Sequence, residues 1–182
     1  VRTDSDGEVG SCGASLASLQ NSMQPMARIL CPVDFSPASS AALDQALELA
    51  AASEGTVEVA HVCNVPYYVR PDLLIWTDSM SRPMAEVAEE SAKARLDSLL
   101  APLPPENRAR VQTSIHFGPP AATISKLAEA RKVNLIVMGT HGRHGISLRL
   151  LGSVAERVVR EAPCPVLVVR PSEDKEDSER KG

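Results

Sequence analysis

The sequence predicts an α/β protein, a three-layer sandwich in which helices cover both faces of a five-stranded parallel sheet. Three observations carry that expectation. Short apolar, β-branched runs alternate with stretches whose apolar residues recur at three and four positions. The runs are apolar on consecutive residues, as strands buried on both faces are. The connections between them are long enough to hold a returning helix, which parallel pairing requires.

The elements follow in order. Ile29-Leu30-Cys31-Pro32-Val33 is the first strand, and Ser36-Pro37 after it is a helix start, with a capping hydroxyl and a proline preset for the first helical position. Ala42, Leu43, Ala46, Leu47 and Ala50 give that helix a broad apolar face, and Gly55 is expected to close it. Residues 56–62, with Val57, Val59 and Val62, read as the second strand. Met84, Val87, Ala88, Ala92, Leu96 and Leu99 mark a helix over about 82–100, and residues 111–117 alternate like a third strand. Gly118-Pro119-Pro120 starts a helix carrying Ile124, Leu127 and Ala128, and Asn134-Leu135-Ile136-Val137-Met138 is the fourth strand. A helix over 153–161 and a fifth strand over 165–169 complete the series. Residues 64–81, with Tyr67, Tyr68 and Trp76, exceed the usual connection and read as a lid, a partner surface or a disordered insert.

The chain has 182 residues, 43% hydrophobic and 23% charged, which suits one domain with tails. Residues 1–25 are rich in Ser, Gly and Asp and read as a flexible extension; Met26-Ala27-Arg28 looks like a natural start for the domain at 26–170. Residues 171–182 form a mixed-charge tail. The net charge of −4 comes from the two tails, since residues 26–170 hold as many acids as bases. No electrostatic footprint for DNA or an anionic membrane results, and five aromatic residues argue against a base-stacking RNA platform. Cys12, Cys31, Cys63 and Cys164 have no ligand-like spacing, which points away from zinc and toward reduced thiols in a cytoplasmic protein. No stretch has the roughly 18 apolar residues of a membrane span.

Ligands of open parallel sheets bind beyond the carboxyl ends of the strands, where strand order reverses. The first strand runs into Asp34, and the fourth into Gly139-Thr140-His141-Gly142-Arg143-His144-Gly145. Gly152-Ser153 opens the last helix. Glycines at 139, 142 and 152 permit positive φ and close backbone approach, so their N–H groups can converge on phosphate at a helix N-terminus, with Arg143 and His141 as charged helpers. Neither G-x-x-x-x-G-K-[ST] nor G-x-G-x-x-G occurs. Two simpler roles stand beside this reading. Asp34 suits a turn that hydrogen-bonds nearby amides, and Ser153-Val154-Ala155-Glu156 has the form of a capping box.

Gly139, Gly142, Gly152 and Ser153 fit a spacing of Gly, two residues, Gly, nine residues, Gly, Ser. With Ile29-Leu30-Cys31-Pro32-Val33-Asp34-Phe35-Ser36, His61-Val62 and Pro165-Val166-Leu167-Val168-Val169, the chain resembles the universal stress protein family in its nucleotide-binding branch. The resemblance implies the adenine nucleotide alpha hydrolase-like fold with strand order 3-2-1-4-5, and ATP as ligand, leaving room for Mg or Mn beside it. It implies an adenine pocket lined by Pro32, Val33, Val62 and Met138, with Asp34 at the ribose or the adenine edge. It assigns the triphosphate to Gly139, Thr140, His141, Gly142 and Arg143, then to Gly152, Ser153 and Val154. It also implies a homodimer formed through Val166 to Val169.

Three functions compete on these grounds. The first is a homodimeric, ATP-binding regulator of the stress response with at most slow hydrolysis, since the sequence shows no base beyond Asp34 and no catalytic residue is assigned. The second is a nucleotide-free dimerisation module acting through the 64–81 insert. The third is an enzyme of adenylyl transfer or flavin chemistry, for which no further catalytic motif is found.

Overall fold

The computed structural model describes residues 28–64, 73–77, 80–140 and 151–171. Along them run β1 (Arg28–Pro32), α1 (Pro37–Ala52), β2 (Thr56–Cys63), β3 (Leu74–Thr77), β4 (Met80–Pro83), α2 (Met84–Leu100), α3 (Pro105–Arg108), β5 (Val111–Phe117), α4 (Pro120–Arg131), β6 (Leu135–Gly139), α5 (Ser153–Glu161) and β7 (Val166–Val169). The main sheet has the order β5-β2-β1-β6-β7, every neighbouring pair parallel. With the separate β3–β4 pair set aside, this is the expected order 3-2-1-4-5.

Alternation along each strand sorts the core into two halves. Ile29, Cys31, Val57, Val59, Leu135 and Val137 point to one face, where Leu43 and Leu47 of α1 and Leu96 and Leu100 of α2 cover them. Leu30, Ala60, Ile136 and Met138 point to the other, against Ile124 and Leu127 of α4 and Val158 of α5. Ile29, Leu30, Ile136 and Val137 are at most 1% exposed. At about 1.5–3 kcal/mol for each large aliphatic side chain withdrawn from water, these layers dominate the stability of the fold. The chain winds outward from β1 through β2 to β5, then crosses back to β6 and β7. Strand order therefore reverses between β1 and β6, and the crevice of an open parallel sheet opens at their carboxyl ends.

Element ends refine the sequence reading. Ser36 caps α1, its Oγ accepting from Ser39 N at 3.2 Å, with Pro37 in the first helical position. At the other end Glu54, not Gly55, takes the left-handed conformation (φ 52°), and Gly55 N donates to Ala50 O at 2.8 Å, a 6→1 closure. The Glu54 side chain is exposed there.

The long connection after β2 is not all loop. Part of it is the antiparallel β3–β4 hairpin, in register from Leu74↔Pro83 to Thr77↔Met80. Met84 N donates to Leu73 O at 2.8 Å, and Arg82 grips Glu90 (2.8 and 2.6 Å) and Glu86 (2.9 Å), which ties the hairpin to the first turns of α2. These ion pairs hold the Arg82 guanidinium well above its ordinary range and Glu90 below its own. Trp76 falls on β3, while Tyr67 and Tyr68 lie outside the described residues. The short α3 is likewise absent from the sequence reading, since one turn carries no periodicity.

Candidate functional site

A cleft of about 490 Å³ opens at the carboxyl ends of β1, β2 and β6, between the first turns of α1, α4 and α5. Its floor is apolar. Pro32 ends β1, Val62 and Met138 stand one residue before the ends of β2 and β6 on the same face of the sheet, and Val33 follows Pro32 at the rim. Around it stand Asp34, Gly139, Thr140, Gly152, Ser153 and Val154. The structure thus gathers the expected residues from both halves of the chain into one hollow. His141, Gly142, Arg143 and His144 lie outside the described residues. The sequence reading misses Ser39, Ala60, Asn64, Pro120, Ile124 and Ala155, which complete the lining.

Asp34 performs the turn role open to it from sequence while facing the cleft. Its Oδ1 accepts from Ser36 N at 3.1 Å and from Ser36 Oγ at 2.6 Å. Ser36 is 4% exposed, so this carboxyl oxygen is fastened to a buried cap and the side chain is fixed at the rim. Among the described lining residues Asp34 alone is charged. Three residues before it in sequence, Cys31 points to the opposite face, and burial pushes its thiol up to about 12, so it supplies no thiolate near neutral pH.

The three helix starts around the cleft differ in what they leave available. At α1 the cap consumes donors: Ser39 N binds Ser36 Oγ and Ser40 N binds Ser36 O. At α4 the N-cap is Pro119 and the first helical position Pro120, neither of which has an N–H, and the first intrahelical bond runs from Thr123 N to Pro119 O at 3.0 Å. At α5 the N-cap is Gly152, with no side-chain cap bond, and the first intrahelical bond runs from Glu156 N to Gly152 O at 2.8 Å. The amides of Ser153, Val154 and Ala155 precede that bond, and all three residues line the cleft. Backbone donors and the positive end of the helix dipole thus meet at one wall.

This corrects the capping box expected at 153–156. Ser153 lies inside the helix, one position past the cap, where its hydroxyl cannot reach the third amide. Glu156 turns instead to Arg160 at 2.6 Å. The glycines are corrected as well. Among the described glycines Gly118 alone has positive φ, and Gly152 sits at φ −63°. Gly139 is required by close approach: a Cβ there would lie 2.7 Å from the carbonyl carbon of Ala38. The approach is to α1, which packs its first turn over the end of β6.

Thr140 anchors the start of the glycine-bearing loop. Its N–H donates to Val169 O at 3.0 Å, and its carbonyl accepts from Gly152 N at 2.8 Å. Thr140, itself buried, thus ties the end of β6 to β7 and to the start of α5 beside the cleft.

The sequence profile of the universal stress protein family matches residues 26–170. The chain belongs to the universal stress protein family. A universal stress protein of Methanocaldococcus jannaschii is 35% identical over 144 residues, which make up 79% of this chain and 81% of that one. The structure of the universal stress protein UspA from Lactobacillus plantarum superposes with a TM-score of 0.65 at 27% identity, covering 80% of this chain and 98% of its own. Two further proteins share the fold: a universal stress protein in complex with cAMP (TM-score 0.53, 24% identity, 81% of this chain and 99% of that one) and one from Archaeoglobus fulgidus in complex with dAMP (0.53, 20%, 81% and 99%). In this universal stress protein the two glycines thus divide their labour: Gly139 admits a helix, and Gly152 is the N-cap of another with no side chain to occupy its first amides. None of the described helices is long and apolar enough to cross a membrane.

Proposed function

We propose that this universal stress protein binds ATP in the cleft between β1 and β6 and acts as a homodimeric regulator of the stress response. The observation that carries the reading is the start of α5, which has no side-chain cap bond and lines one cleft together with an apolar floor and the fixed Asp34 carboxylate. The apolar floor of Pro32, Val62 and Met138 suits a purine base, and Asp34 suits the ribose hydroxyls or the base edge. The amides of Ser153, Val154 and Ala155 suit the phosphates, joined by His141, Gly142 and Arg143 from the loop that Thr140 anchors. The volume lies within the roughly 300–1,000 Å³ of small-molecule sites. That two proteins of the same fold were solved with cAMP and dAMP is a property of those proteins and agrees with an adenine nucleotide.

Among the described residues no three His, Cys, Asp or Glu side chains gather as metal ligands. A Mg or Mn ion accompanying ATP would take its ligands from phosphate and water, with Asp34 as the protein carboxylate at hand. Hydrolysis at such a site is at most slow, because Asp34 Oδ1 already accepts two hydrogen bonds from Ser36 and the described lining offers no other carboxylate or imidazole as a base. The regulatory output then lies in nucleotide occupancy, which sets the conformation of the loop between Gly139 and Gly152. The homodimer is proposed through β7, an edge strand of the sheet.

Calorimetric titration with ATP tests the assignment. The unaltered protein is expected to bind, with Asp34→Ala and Gly142→Ala weakening binding at least about tenfold, the loss of one well-made polar contact. Isotherms that do not differ between these proteins would remove the site, and a nucleotide-free dimerisation module acting through the 64–81 insert would take its place.

A further inference from the structure

Phe35 has φ 65°, in the left-handed region that bulky side chains adopt only where their surroundings over-determine it. Those surroundings lie on the face of the sheet opposite the cleft. The guanidinium carbon of Arg95, on α2, sits 3.9 Å from the centroid of the Phe35 ring. The His61 imidazole flanks the same ring, centroids 4.6 Å apart and tilted by 43°. His61 precedes Val62 on β2, so alternation sends it away from the cleft that Val62 lines. Its Nδ1–H donates to Val33 O at 2.8 Å, since a carbonyl can only accept.

The two residues that bracket Asp34 are therefore both held from behind: Val33 through its carbonyl, Phe35 through its ring. At the left-handed Phe35 the chain puts neighbouring side chains on opposite sides: Asp34 lines the cleft, while Phe35 lines a groove with Arg95, Ser98 and Leu99. The same turn brings Ser36 N and Oγ onto Asp34 Oδ1. We propose that Arg95 and Phe35 are positioning residues for Asp34, a cation and a ring that hold a strained turn so that the carboxyl stands at the cleft rim. The effect on nucleotide affinity rests on the adenine-nucleotide reading of the cleft; the effect on the turn does not.

A double-mutant cycle with a second, ligand-free readout tests both. Arg95→Ala is expected to weaken ATP binding roughly three- to tenfold, the range of a cation–aromatic contact. Arg95→Lys keeps a cation over the ring and is expected to restore most of it. In an Asp34→Ala background Arg95→Ala is expected to change affinity no further, because the group it positions is gone. Without nucleotide, Arg95→Ala and Phe35→Leu are expected to accelerate hydrogen exchange at the Ser36 amide while that of buried Val59 stays unchanged. An equal loss of affinity with and without Asp34, or unaltered exchange at Ser36, overturns the proposal. If the unaltered protein ignores ATP, the nucleotide reading falls alone, and exchange at Ser36 still decides whether the turn is held from behind.

Discussion

Gly139 and Ala38 are in direct backbone contact: a methyl group on Gly139 would meet the Ala38 carbonyl carbon at 2.7 Å and its oxygen at 2.9 Å. The end of β6 and the first turn of α1 are thus packed without room for a side chain between them. This contact sets the width of the cleft, since Gly139 and Ser39 both line it.

Gly139→Ala should therefore destabilise the fold by about 1–3 kcal/mol, the usual cost of overpacking against backbone that must move as a unit. It should weaken ligand binding as well, by displacing the helix start that bears Ser39. Urea unfolding of the variant reads the first effect and calorimetry the second. A midpoint equal to that of the unaltered protein would show that α1 rides freely over β6.

Legibility differs by element. Pro32, Val62 and Met138 are placed at the cleft from sequence only by the resemblance to the family; the structure supplies the physical reason, since strand alternation puts them on a shared face. Ala60, two residues before Val62, obeys the same alternation and could have been read the same way. Ser39 and Ile124 could not, because their positions depend on the rotation of α1 and α4 about their axes, which tertiary packing sets. The hairpin escapes for another reason: β3 and β4 have four residues each, too few for a period, and no Asn-Gly or Asp-Gly pair stands between them. At 153–156 the residue types satisfy a local pattern, yet Gly152 takes the cap, so pattern alone could not tell which residue starts the helix.

The two serines at helix starts should respond differently to removal of the hydroxyl. Ser36→Ala loses a buried hydroxyl that accepts from Ser39 N and donates to Asp34, and should cost about 1–2 kcal/mol. Ser153→Ala removes an exposed hydroxyl with no capping bond and should leave stability within about 0.5 kcal/mol. Paired denaturation curves check this. A cost at Ser153 equal to that at Ser36 would restore the capping box.

Burial of Cys31 predicts an alkaline weakness. Its thiol has an ordinary value of 9.0 and is pushed up to about 12 in the fold by desolvation, with Asp44 adding to the rise. Between those values the unfolded chain has released the proton and the folded chain keeps it, so the native state binds more protons and stability must fall as pH rises. The decline begins near pH 9 and amounts to at most about 1.4 kcal/mol per pH unit for one thiol. Cys63 and Cys164 are shifted upward too, chiefly by burial, and add in the same direction. Unfolding free energies from pH 8 to about pH 10.5 should therefore slope downward. Cys31→Ala should be less stable at pH 8, for want of the buried sulfur, but should show a shallower slope. An unaltered slope would mean that the Cys31 thiol ionises in the native state.

The proposed homodimer predicts a position where one charge separates the subunits. β7 lies at the end of the strand order, and no strand of the described residues pairs with its outer side. It carries Val166, Leu167, Val168 and Val169, with Leu167 37% exposed, and Val159 of the neighbouring α5 is 50% exposed. An apolar edge of this kind invites pairing with an identical edge across a two-fold axis, which would cover the side chains and complete the backbone bonds together. Leu167→Lys places an ammonium group, and by symmetry a second like charge, at that seam. The expected outcome is a shift from dimer to monomer in sedimentation velocity, with ATP affinity changed less than twofold, because Leu167 does not line the cleft. A variant that still sediments as a dimer would move the interface away from β7, and an unaltered protein that sediments as a monomer would remove the dimer altogether.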